Sequence, residues 1–203
     1  MSAYNEEQLY TLKMVSATIS AMNSMEMERL KTKARDYLSF REEVAAFSSA
    51  HLADLCKKKC YDTGISACCT REGIITYFAD VVINVLFSTK DRLDLLEKAL
   101  VAPSQSTQCV YLSPAGCLWT IKPIVCEMFF CDWLMEAAHT ATPAIRDRIA
   151  DLKARQKNYT WPDKPVIFDR IEAIFMGKGL TSPLMYFHTS PGLMRIKKKA
   201  GLG

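Results

Sequence analysis

Histidine is scarce in this 203-residue chain: His51, His139 and His188 are the only three, and they stand far apart. That spacing excludes a histidine-rich metal site. Proline and glycine are missing from Asn5 to Ser49. The sequence has no Gly-x-Gly-x-x-Gly, Walker loop, His-Glu-x-x-His, EF-hand loop, Gly-x-Ser-x-Gly or Cys-x-x-Cys-His. Dinucleotide, P-loop, zincin, calcium-sensor, serine-hydrolase and c-type haem readings lose their usual footing. A long apolar run is lacking too. The strongest one, Ile74 to Phe87, is broken by Asp80 and Asn84, and it falls short of the roughly 20 residues a bilayer span needs. The acidic, polar Met1–Glu7 has neither the basic nor the apolar region of a signal peptide. The expectation is a cytoplasmic chain with no membrane span. A net charge of +4 without a dense basic face argues against a nucleic-acid partner. Hydrophobic and charged shares of 49% and 24% exclude a disordered chain.

Cysteine is absent from the first 55 residues and from everything after Cys131. All eight cysteines lie between: Cys56 and Cys60, the vicinal pair Cys68-Cys69, then Cys109, Cys117, Cys126 and Cys131. Cysteine used only as a small core hydrophobe would be scattered. In a reducing compartment, clustered thiols point to metal ligands or redox groups before structural disulfides. Cys56 and Cys60 are four apart, one turn on one helix face, and the three lysines between them favour the thiolate form. His51 lies five residues before Cys56, which rotates it off that face. A disulfide between Cys68 and Cys69 would strain the peptide joining them, so the pair suits a metal better.

Along the chain, Leu9, Leu12, Val15, Ile19 and Met22, then Met27, Leu30, Ala34 and Leu38, recur at steps of three and four. The phase slips at Asn23-Ser24, which predicts two helices packed as a hairpin. Ile74–Phe87 is read as a buried helix, with a capping box at Ser88–Asp91 opening the next one. Cys109–Leu112 and Cys117–Ile121, joined by Ser113-Pro114-Ala115-Gly116, form a β-hairpin with a cysteine on each arm. Pro123 starts a helix carrying Cys126, with Cys131 where that helix ends or bends. Met128, Phe129, Phe130, Trp133 and Leu134 supply a dry wall beside the thiols. Thr142-Pro143 caps a further helix and 166–176 forms another. The segment from Ser182 to Gly192 holds His188, a second candidate ligand, and Arg195–Lys199 is a solvated basic tail.

The order Cys68-Cys69, Cys109-x-x-Leu112, Gly116-Cys117-Leu-Trp119, then Lys122-Pro123-x-x-Cys126-x-Met-Phe-x-Cys131 resembles the YkgJ-type CxxCxxCC family of zinc- or iron-chelating proteins. A similar module occurs in flagellin lysine-N-methylases. The likeness covers Cys56 to Cys131. This chain departs from it in the wider gaps around Cys56 and Cys60 and in Lys122, where the family favours arginine. The resemblance implies metal chelation, with an iron–sulfur cluster, [4Fe–4S] in form, ahead of zinc. It supplies no reaction, and no segment here corresponds to a methyl donor site.

The expected fold is mainly α, a helical domain with a small β-hairpin in a cysteine-rich metal-binding core. Residues 1–50 form an N-terminal arm, 51–140 the cysteine-rich core, and 141–203 C-terminal helices with the basic tail, in one compact domain. The expected ligands are Cys68, Cys69, Cys109, Cys117, Cys126 and Cys131, before Cys56 and Cys60. The alternatives are a structural or trafficking zinc site, and a metal-free helical interaction protein with redox-active thiols and a protein partner.

Overall fold

The computed structural model describes residues 2–58, 62–64, 75–103, 108–113, 116–141 and 143–202. Ser2 accepts a hydrogen bond from the Asn5 amide and opens α1 (Ala3–Ser20). The glycine-free stretch then breaks where the apolar phase slips. Asn23 takes the Glu26 amide at 2.9 Å while the Glu26 carboxylate takes the Asn23 amide at 3.2 Å. This reciprocal capping box starts α2 (Ser24–His51). The two helices do not pack as the expected hairpin. The main neighbours of α1 are α4 and α5, whereas α2 reaches α3, α4, α6, α8 and α9.

The reason is α4 (Phe78–Phe87), which follows the one-turn α3 (Ala53–Cys56). Eight of its side chains are buried: Phe78, Ala79, Asp80, Val81, Val82, Ile83, Asn84 and Leu86. A helix apolar on every face is stable only with neighbours all round. So α1 lies on one side of α4 and α2 and α9 on others. The next helix, α5 (Lys90–Val101), begins after Thr89 with no side-chain cap. The predicted box at Ser88–Asp91 is not made. Ser88 instead bonds Thr120 at 2.8 Å, drawing the post-hairpin segment onto α4.

The hairpin is present but short. β1 (Leu112–Ser113) pairs antiparallel with β2 (Gly116–Cys117), Leu112 opposite Cys117. Gly116 has φ +100°, a conformation that favours glycine. The second arm was expected to run to Ile121. It leaves the sheet after Cys117 because the Asn84 side chain takes both the amide and the carbonyl of Ile121, at 3.0 and 2.7 Å.

Then come α6 (Ile124–Glu127), α7 (Asp132–Ala141), α8 (Pro143–Thr160) and α9 (Ile167–Met176), with Pro143 first in its helix as predicted. Thr142, its expected cap, lies outside the described residues. Aromatic edges knit the far side: Tyr37 of α2 meets Tyr159 of α8 and Phe168 of α9, each at 5.2 Å between centroids. Phe78 meets Phe175 at 5.0 Å. Glu43 of α2 bridges Arg148 and Arg155 of α8. The chain ends in a single turn, α10 (Tyr186–Thr189), and α11 (Pro191–Lys199). The expected solvated tail is therefore helical, and Lys197 is buried. Among the described residues no helix is long and apolar enough to cross a membrane.

Asn23→Ala should lower stability by about 1 kcal/mol, the usual loss for a capping residue. Urea unfolding followed by circular dichroism measures it, and the slope should stay unchanged.

Candidate functional site

Five of the predicted ligands are described. Cys109 is buried ahead of β1, and Cys117 sits half-buried on β2. Cys126 lies within α6. Cys131 stands before α7 and its carbonyl accepts the Met135 amide at 2.9 Å. It thus opens the next helix, just past the bend that the sequence offered as one of its two places for Cys131. The chain turns between Cys126 and Cys131, since α6 stops at Glu127. Cys56 ends α3. Cys60, Cys68 and Cys69 lie outside the described residues. Among the described residues, no group of three or more histidine, cysteine, aspartate or glutamate side chains stands close enough to hold a metal ion.

One hairpin thiol takes a backbone amide. The Tyr111 amide donates to Cys109 Sγ at 3.4 Å. The donor is two residues beyond the cysteine. Such N–H···S bonds favour the ionised sulfur. Burial acts the other way and pushes the Cys117 thiol up; Lys122 and Arg92 pull it down, and Glu127 adds to the rise.

Hydroxyl and indole donors gather around Tyr111. Its ring meets Trp119 edge-on at 5.1 Å, and its hydroxyl donates to Gln8 of α1 at 3.2 Å. Burial lifts the Tyr4 phenol well above the usual tyrosine range; the Thr76 and Tyr111 hydroxyls beside it act against that rise, and the Cys109 and Cys126 sulfurs add to it. Tyr4 lies within electrostatic reach of Cys109 and Cys126, and Tyr111 within reach of Cys109 and Cys117. Among the described residues, the buried Tyr4 hydroxyl, Thr76 hydroxyl and Trp119 indole N–H make no hydrogen bond of good geometry. Buried donors without acceptors are rare in native proteins. None of the three was singled out from the sequence as polar machinery. Tyr4 lies in an acidic leader with no periodic signal, and Thr76 sits inside an apolar run.

A buried ionic clamp fixes the cysteine-bearing segment. Arg41 of α2 is 3% exposed. Its guanidinium donates to the Tyr37 hydroxyl, to the Lys122 carbonyl and to the Glu127 carboxylate, at 2.7, 2.7 and 2.5 Å. From α4, Asp80 accepts the Ile124 amide at 3.2 Å with one oxygen and the Tyr77 amide at 3.1 Å with the other. Burial raises the Asp80 carboxyl to about 6, against the pull of Arg41 and the two amides. The dry wall is only partly as predicted. Met128, Phe130 and Leu134 are buried, whereas Phe129 and Trp133 are 47% and 37% exposed. Neither described candidate histidine joins the thiols. His51 stacks on Phe47 at the end of α2, and the ring of His188 turns to Glu172 and Asp169.

Arg41→Met strands two buried carboxylates, Glu127 and Asp80. Losing one partner of a buried pair costs about 3–5 kcal/mol. Chemical denaturation should show that loss, and the Arg41→Met, Glu127→Leu double variant should regain part of it.

No family model, no curated protein and no solved structure matches this chain.

Proposed function

We propose that this protein is a thiolate metal-binding protein holding an iron–sulfur cluster, with Cys109, Cys117 and Cys126 among its ligands. The observation that carries the reading is the buried Cys109 thiol on the hairpin, whose Sγ accepts the Tyr111 amide at 3.4 Å. Backbone amides aimed at sulfur stabilise thiolates and tune cluster potentials. The donor chemistry fits the same group: soft thiols on the hairpin and α6, with the buried hydroxyls of Tyr4 and Thr76 and the Trp119 indole finding no hydrogen-bond partner among the described residues. The order of the cysteines, similar to the YkgJ-type family, supports it independently. Cys68 and Cys69 are the next candidates, then Cys131, Cys56 and Cys60. When bound, such a cluster supplies one-electron transfer or a cofactor's redox chemistry. The protein's part is to hold the sulfurs and limit water. Val110, Tyr111, Ile124 and Met128, all buried, line that stretch of chain.

Purification without oxygen tests the reading. The expected protein is brown, with iron and acid-labile sulfide in stoichiometric amounts. Cys109→Ser and Cys126→Ser should each lose most of the iron while keeping the wild-type helical circular dichroism. A colourless protein with one zinc would replace the cluster by a closed structural or trafficking site, since thiolates suit both metals. A metal-free protein with titratable thiols would leave a helical interaction protein.

A further inference from the structure

A second cluster of titratable groups lies at the other end of the chain, between α9, α10 and α11. Glu172 of α9 has a fully buried side chain. One of its carboxyl oxygens lies 2.9 Å from His188 Nδ1 of α10, and the other accepts the Phe187 amide at 3.3 Å. His188 Nε2 lies 3.5 Å from both Asp169 Oδ1 and Lys197 Nζ, and Lys197 of α11 donates to Asp169 at 2.8 Å. One acid pair on α9, one imidazole and one ammonium therefore close a ring across three elements. Phe187, fully buried, anchors the same turn against Phe168 and Tyr77. The Leu184 carbonyl accepts the first amide of α4 at 3.0 Å, so the strap is tied to the central helix as well.

We propose that the C-terminal strap, residues 184–202, is a proton-dependent clasp, closed while Glu172 and His188 hold one proton between them and loosened when that proton is lost. The charge balance gives the reason. With one proton on the pair, Glu172 and His188 sum to zero, and Asp169 and Lys197 neutralise each other. Without it, a carboxylate sits buried against the Phe187 anchor, and Lys197, already paired, is the cation beside the ring. Isolated buried charge is costly.

Burial raises the Glu172 carboxyl to about 8; the Phe187 amide and Lys197 pull it down, and Asp169 adds to the rise. Burial and then Lys197 hold the His188 imidazole below its usual value, against Asp169. Tyr77, at the start of α4, is the phenol facing this carboxyl, and Tyr37 of α2 meets α9 through Phe168. A group whose pKa is raised on closing stabilises the closed form at low pH and loses that contribution as pH rises through the raised value. The lowered imidazole acts in the opposite sense, as pH falls through the ordinary histidine range. Above that range the closed clasp holds a proton that the open one does not, so the window for loosening runs upward through about 8.

Hydrogen exchange over 184–202, corrected for the intrinsic pH dependence, reads the clasp directly. Protection should fall by about an order of magnitude between pH 7 and 9, the change expected for one proton released in that range. Glu172→Gln keeps an acceptor for the Phe187 amide and a donor for neutral His188, so its corrected protection should stay flat. Wild-type protection unchanged over that range, or an equal fall in Glu172→Gln, would overturn the proposal. The carboxyl carbon shift of Glu172 in the unmodified protein is an independent readout: titration at the ordinary glutamate value overturns the clasp whether or not the variant folds.

Discussion

The Arg41 guanidinium carries the irregular half of this protein. The segment from Leu118 to Pro123 has no strand or helix of its own to satisfy its backbone. Backbone groups of Tyr111, Cys126 and Glu127 meet its two ends, and side chains from α2 and α4 meet the middle. Arg41 takes the Lys122 carbonyl and the Glu127 carboxylate. Asn84 takes both backbone groups of Ile121, and Asp80 takes the Ile124 amide. Buried backbone groups must be paired somewhere, and here the pairing sets the path of the chain between Cys117 and Cys126. Arg41 is the buried cation beside Asp80, which holds that backbone, and it pairs directly with Glu127. A buried ion pair of this kind is weak evidence for net stability but strong evidence for a fixed geometry at this spot.

That geometry bears on the thiols. The amide-to-sulfur bond at Cys109 depends on the hairpin being held where Tyr111 and Trp119 lock edge-on. Tyr111 also reaches Gln8 of α1, so the first helix helps seat the cysteine-bearing hairpin. The N-terminal arm is thereby part of the site's surroundings. It brings the Tyr4 hydroxyl within electrostatic reach of Cys109 and Cys126.

Much of the local structure was legible. The phase slip at Asn23 marks a real capping box, because a cap needs only its own few residues. The run Ile74–Phe87 reads as a helix from its length and from Asp80 and Asn84 at helical spacing, though the sequence cannot say why those polar residues are there. They are clamps on a distant backbone. The basic run after Arg195 looks like a solvated tail because lysines usually are exposed. Asp169, 28 residues earlier, buries Lys197 and makes a helix worth forming. The predicted α1–α2 hairpin fails for a similar reason. Adjacency in sequence favours pairing, but α4, buried almost all round, competes for the apolar face of α1 and wins.

The sequence by itself determined the clustering of the cysteines along the chain, most of the helices, and the turn between Cys109 and Cys117. These follow from residue type and period, which act within a few residues. The tertiary structure alone decided that Tyr111 of the hairpin meets Gln8 of α1, 103 positions away, and that His188 and Lys197 close on Glu172 and Asp169, up to 28 positions away. No local propensity encodes such meetings; they arise from which faces must be buried together.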